Sequence, residues 1–154
     1  MGMAFANSFI QYNLVSKEDL LLIEKNKERG DILQEQKAGV VVDTISERIG
    51  VVDLIILSVK PQDYPSVSSE LAKVIQPGQL ILSIMAGIPI TQIQLSLGHD
   101  LIIRAMPNTP MMVGEAITVI SPGTHVSENH LALAQAIFQQ VGEVLDLDEQ
   151  YLDA

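Results

Sequence analysis

The sequence predicts a doubly wound α/β domain: a mostly parallel sheet with helices on both faces. Three observations predict it. First, Leu54-Ile55-Ile56-Leu57-Ser58-Val59 and Leu80-Ile81-Leu82-Ser83-Ile84 are short and almost purely aliphatic. A strand with one wet face alternates apolar and polar residues, so these read as strands buried on both faces of a parallel sheet. Second, Leu20-Leu21-Leu22-Ile23, Val40-Val41-Val42 and Leu101-Ile102-Ile103 are shorter runs of the same kind. Third, helical patterns lie between such runs, as right-handed crossovers require.

Each helix carries its own signals. Residues 64–75 place Val67, Leu71, Val74 and Ile75 on one face and stop at Pro77-Gly78. Residues 89–97 begin with proline in the first turn and end at Gly98, the usual asymmetry of helix ends. Residues 127–141 give the clearest helix, with Ser127 as cap and Leu131, Ala134, Ile137, Phe138 and Val141 as one stripe. Residues 116–120 and 143–147 predict further strands on either side of it.

Composition narrows the class. A length of 154 residues fits one domain, and 47% hydrophobic against 18% charged residues predicts a globular chain. The net charge of −10 argues against nucleic acid and anionic membrane surfaces as partners. It leaves a phosphorylated cofactor open, because backbone amides and one or two lysines can dominate a pocket. With no cysteine there are no disulfides, thiol nucleophiles or thiolate metal sites, which fits a cytoplasmic protein. The apolar start lacks a basic segment, Ala6 stands where a myristoylation site wants Ser or Thr, and the run 80–90 falls short of the roughly 20 residues that span a bilayer. The chain reads as soluble.

In open parallel sheets ligands bind beyond the carboxyl ends of the strands. The informative segments are therefore Glu24-Lys25-Asn26-Lys27, Val59-Lys60-Pro61-Gln62, Met85-Ala86-Gly87-Ile88-Pro89 and Arg104-Ala105-Met106-Pro107-Asn108-Thr109-Pro110. Taken singly, each has an ordinary reading: a solvated lysine, a turn glycine, a stiffened loop. Four such exits in succession point to a ligand instead. A glycine lets a flat ring approach the backbone, and proline-stiffened loops reduce the entropy lost on binding.

These segments resemble the three successive signatures of pyrroline-5-carboxylate reductases: Val59-Lys60-Pro61, Met85-Ala86-Gly87-Ile88 and Arg104-Ala105-Met106-Pro107-Asn108-Thr109-Pro110, in the family's order and spacing. The similarity extends to Gly142-Glu143 and Leu152-Asp153-Ala154, and so covers essentially the whole chain. It implies a Rossmann-type NAD(P)-binding domain over residues 1–154. It also implies hydride transfer from NADPH or NADH to the imine carbon of pyrroline-5-carboxylate, giving proline, in a homo-oligomeric enzyme. Carried over by position, Val59, Lys60 and Pro61 line the ribose and nicotinamide side of the cofactor. Ala86 and Gly87, with Met85 in the same stretch, back the nicotinamide, and Asn108 sits beside it. No residue is identified as the proton donor, so the roles are positional.

The chain also departs from the family's pattern. Gly2 matches the last glycine of the phosphate-binding fingerprint, and Met3 opens the first helix over residues 3–12. The aliphatic strand and the two earlier glycines that precede them in the family have no counterpart, and the dimerising substrate domain that follows is likewise expected to be absent. The missing strand belongs in the middle of the sheet, where about six to ten backbone groups would lose partners at roughly 1–3 kcal/mol for each one buried. Such a gap is expected to close, to fill from another chain, or to persist as a wet cleft. A chain of this extent is expected to be inactive alone.

Cofactor choice has two readings. Glu24 lies about twenty residues beyond Gly2, where an acid meets a ribose 2′-hydroxyl and favours NAD. Lys25 and Lys27 could instead receive the 2′-phosphate of NADP, or the turn could simply be solvated. Asp43-Thr44-Ile45-Ser46 stands where the family commonly has an asparagine on the adenosine side. His99, His125 and His130 lack metal-ligand spacing and read as surface residues, and Asp146-Asp148-Glu149 reads as a solvated helix start. Two other readings remain: a different imine or hydroxyacid reductase on this fold, or a non-catalytic interaction module using an open sheet edge.

Overall fold

The computed structural model describes residues 1–108, 110 and 113–153. Its elements, in chain order, are α1 (Gly2–Gln11), β1 (Leu21–Ile23), α2 (Lys27–Glu35), β2 (Val40–Val42), β3 (Leu54–Leu57) and α3 (Tyr64–Leu71). There follow β4 (Leu80–Ser83), α4 (Ile90–Leu97), β5 (Ile102–Pro107), β6 (Ala116–Pro122), α5 (Glu128–Gln139) and β7 (Gly142–Asp146). Every aliphatic run read as a strand is one. No described helix is long and apolar enough to cross a membrane.

The strands form two sheets. β1 pairs with β2, and β3 to β7 pair in chain order as a separate five-stranded sheet. All neighbours are parallel except β5 and β6. That exception follows from chain length, since a parallel return needs a crossover of about a dozen residues or more and residues 108–115 are too few. Pairing with β6 also carries β5 through Pro107, with Arg104 opposite Ser121 and Met106 opposite Val119. Arg104, Ala105, Met106 and Pro107, read from the sequence as a strand exit, therefore belong to the strand itself.

Two layers of helix cover the larger sheet. On one face α1 and α5 meet it through Phe5, Phe9, Ala134 and Phe138, packed on Leu80, Leu82, Ile103, Ala105, Ala116 and Ile120. Phe5 lies edge-on to Phe9 and to Phe138, with ring centroids 6.0 and 5.5 Å apart, the arrangement aromatic quadrupoles favour. On the other face α3 and α4 bring Tyr64, Leu71, Ile90, Ile93 and Leu97 onto Ile81 and Ile102. Successive residues of β4 thus serve opposite layers, which is why an uninterrupted aliphatic run was needed.

The helix caps are as read, with one addition. Ser127 Oγ accepts from the His130 N–H, and Gly98 closes α4 in the left-handed region at φ 60°. α2 escaped the sequence reading because only Gly30 of it is buried, which leaves no apolar stripe to see. Its one legible signal is Asn26, whose Oδ1 accepts from the Arg29 N–H at 3.0 Å. His99 is a correction. It is buried, its Nε2 2.6 Å from the Gln79 carbonyl oxygen, because the turn after Gly98 folds it back under the start of β4.

Between the two sheets of the single chain lies a cleft. Leu20 to Glu24 line it on one side and Leu54 to Val59 on the other, with Phe5, Ala6 and Phe9 of α1 along it. Its volume of about 2620 Å³ exceeds the roughly 300–1,000 Å³ of a small-molecule pocket. It is bordered by one edge of β1 and one of β3 that have no strand partner among the described residues.

Candidate functional site

The exits of β3 and β4 and the end of β5 lie together, because these strands are parallel neighbours. α1 joins them. A Cβ on Gly2 would collide with the Ser58 side chain, so the helix starts hard against the exit of β3. No side chain caps α1. Its first-turn amides thus form an electropositive end of the kind that receives phosphate.

The predicted residues divide into two groups. Gly2, Met3, Glu24, Lys25, Val59 and Lys60 all line the cleft. Met85, Ala86, Gly87 and Asn108 lie beyond it. Pro61 opens a short 3₁₀ turn (Pro61–Asp63), preceded by Lys60 in extended conformation, and this turn leads into α3. Lys60 is exposed, whereas Val59 packs against the layer under α3 and α4.

The acid and the two lysines after β1 are already engaged. Glu24 Oε1 accepts from the Asn26 N–H at 2.9 Å, tightening its own turn. Lys25 Nζ donates to Glu70 Oε1 of α3 at 2.6 Å, and Lys27 Nζ to Asp31 Oδ2 at 2.7 Å. The hydrogen bond and charge of Asp31 raise the Lys27 ammonium above its ordinary range. Both pairs are exposed and screened by solvent, so each contributes little to stability and yields readily to a phosphate.

After β4 the chain turns sharply. Met85 is buried, Ala86 and Gly87 are exposed, and Gly87 takes φ 70°. A Cβ there would meet nothing within 4 Å. The glycine is required by its backbone conformation, and it leaves one face of the turn bare. Asn108 follows β5 and is partly committed: its Oδ1 accepts from the Ile117 N–H at 2.9 Å, while its own N–H donates to the Ile117 carbonyl at 3.2 Å. Thr109 of the same motif lies outside the described residues.

Sequence reasoning missed the partners of Arg104. This side chain is wholly buried, and both its guanidinium ends reach the last described turn. Nη1 donates to Glu149 Oε1 and Asp153 Oδ2, each at 3.1 Å, and Nη2 donates to Asp153 Oδ1 at 2.9 Å. Glu149 is thus an ion-pair partner of a buried arginine rather than a solvated acid. The signal was present: a lone arginine inside an aliphatic strand needs carboxylates from elsewhere. Among the described residues no group of three or more His, Asp or Glu could hold a metal.

The family described as NADP oxidoreductase, coenzyme F420-dependent, matches residues 1–87. The pyrroline-5-carboxylate reductase of Arabidopsis thaliana is 36% identical over 132 residues, covering 86% of this chain and 48% of its own length. That of Synechocystis is 34% identical over 154 residues, covering 100% of this chain and 57% of its own. The structure of pyrroline carboxylate reductase from Plasmodium falciparum, with NADP bound, superposes with a TM-score of 0.81 at 24% identity, over 97% of this chain and 55% of that one. The chain spans about half the length of these curated relatives. With a match over residues 1–87, more than half of its length, this chain belongs to the NADP oxidoreductase, coenzyme F420-dependent family, and it is similar over most or all of its length to pyrroline-5-carboxylate reductases.

Proposed function

We propose that the chain is the dinucleotide-binding portion of a pyrroline-5-carboxylate reductase, an enzyme that reduces 1-pyrroline-5-carboxylate to L-proline with NADPH or NADH. The observation that carries this reading is the convergence at one sheet end of the uncapped start of α1, the β3 exit and the bare turn at Gly87. A dinucleotide fits these residues. The amides of Gly2 and Met3 suit its pyrophosphate, Val59, Lys60 and Pro61 its ribose, and Met85, Ala86, Gly87 and Asn108 its nicotinamide. The bound cofactor supplies the hydride; the chain supplies orientation and a dry backing for the ring.

Lys25 and Lys27 favour NADP through its 2′-phosphate, and Glu24 favours NAD through its free 2′-hydroxyl. All three are engaged, Glu24 with the Asn26 amide and the lysines in exposed ion pairs; a 2′-phosphate can replace Glu70 or Asp31 as the partner of a lysine, and this favours NADP. Turnover also needs the imine held against the nicotinamide.

Calorimetric titration of the purified chain with NADPH and then NADH tests this. Saturable binding, tighter for NADPH, is expected. Binding of neither would remove the cofactor reading and leave a second one that the open edges of β1 and β3 favour: a module that assembles by accepting a strand into its cleft.

A further inference from the structure

Arg104 has no exposed surface, although the sheet around it is aliphatic. A buried cation is costly unless paired and hydrogen-bonded, so its partners must offset that cost. Here they connect the guanidinium to the backbone after β4 at three points. Nη2 donates to the Met85 carbonyl at 3.3 Å. Asp153 Oδ1, besides pairing with Arg104, accepts from the Gly87 N–H at 3.1 Å. Glu149 Oε1, shared in the same way, accepts from the Ile90 N–H at 2.7 Å.

This arrangement does more than neutralise a charge. Residues 85–90 contain a glycine at positive φ and little side-chain packing at Ala86 and Gly87. Left to itself such a turn samples many conformations. Its carbonyl at Met85 and its amides at Gly87 and Ile90 are all tied, directly or through one carboxylate, to a single planar group locked inside the sheet. The carboxylates come from the last described turn (Glu149–Tyr151 and Asp153), where Asp148 Oδ1 accepts from the Gln150 N–H at 3.0 Å and Leu152 is buried. Residues 149–153 are thereby held against the same turn.

We infer that Arg104 is a positioning residue for the turn at 85–90, acting through Asp153 and Glu149 to hold the Gly87 and Ile90 amides in the one arrangement that presents a flat backbone face. The inference rests on the reading that this face receives the nicotinamide. A lysine could not replace Arg104, since one ammonium cannot reproduce a planar fork that spans two carboxylates and a carbonyl.

The test has two arms, both on the full chain. In the first, amide exchange is followed residue by residue by NMR in Asp153→Asn and Glu149→Gln. Exchange at Gly87 should rise about tenfold or more in D153N, and that at Ile90 in E149Q, with the amides of Ile81 and Ile103 unchanged. Unchanged exchange at Gly87 and Ile90, or an equal rise throughout β4 and β5, would overturn the inference. In the second arm, NADPH and NADH are titrated into Arg104→Lys, with about tenfold weaker binding of the preferred dinucleotide expected at retained fold. Wild-type affinity in R104K would overturn the positioning role. If the unaltered chain binds neither dinucleotide, the cofactor reading fails by itself, and the exchange arm alone decides whether the clamp exists.

Discussion

β2 and β4 are built from nearly the same material and live in different environments. Val40–Val42 and Leu80–Ser83 are both short and aliphatic, and both read from the sequence as strands buried on two faces. β4 is fully buried, flanked by β3 and β5 and covered by helices on both sides. β2 is only half-buried, as is most of β1, which is its one strand neighbour. The difference lies in the neighbours rather than in the residues. A strand's burial depends on what pairs with its edges, and β1 and β3 each keep one edge facing the cleft.

If that comparison is right, hydrogen exchange should show it most strongly. Amides of β4 and β5 are expected to exchange only through global opening, and those of β1 and β2 through local opening about a thousandfold faster. Equal protection in the two sheets would mean that the small sheet is held by more than its visible contacts. Core truncations should repeat the contrast at a lower amplitude. Leu82→Ala should cost roughly 2–5 kcal/mol by chemical denaturation, whereas Val41→Ala should cost about 1 kcal/mol, because the half-buried site loses less on truncation.

A smaller effect sharpens the account of the larger sheet. Arg104, through its hydrogen bonds to Asp153, lowers the Asp153 carboxyl below its ordinary range, with help from the Gly87 amide. A carboxylate depressed in the folded state contributes stability that is fully present above its unfolded pKa of 3.8 and is lost as pH falls through the lower folded value. Urea midpoints for wild type and Asp153→Asn should therefore differ by a constant amount above about pH 5 and converge below the unfolded value. A gap that persists undiminished at the acid end would contradict this. The guanidinium is itself opposed by burial, but the hydrogen bonds and charges of Asp153 and Glu149 outweigh that and raise it, so it stays charged throughout. The smallest effect belongs to the cleft rim. Lys25→Met, which removes the exposed pair with Glu70, should change stability by less than about 1 kcal/mol while reducing any preference for NADPH over NADH.

Much of the candidate site could be read in one dimension because its chemistry sits just after aliphatic runs. Lys60, Pro61, Ala86 and Gly87 stand where strand ends are easily seen, and a glycine or proline there has a local meaning. Arg104 was seen but misplaced, because pairing with β6 extends β5 past it. Glu149 and His99 were misread for a related reason. Each looks like an ordinary surface residue in its own segment, and its role comes from a partner many positions away. α2 went unseen because a helix that buries one glycine has no stripe.

The aliphatic runs, the spacing of turns and the capping residues sufficed to dictate a doubly wound domain, since parallel strands and crossover helices are specified by short-range pattern. Where the cleft lies, and which acids neutralise the buried Arg104, required the assembled molecule. Hydrogen-bond edges and ion pairs are formed between segments far apart in the chain, and no local pattern records which distant group will be there to meet them.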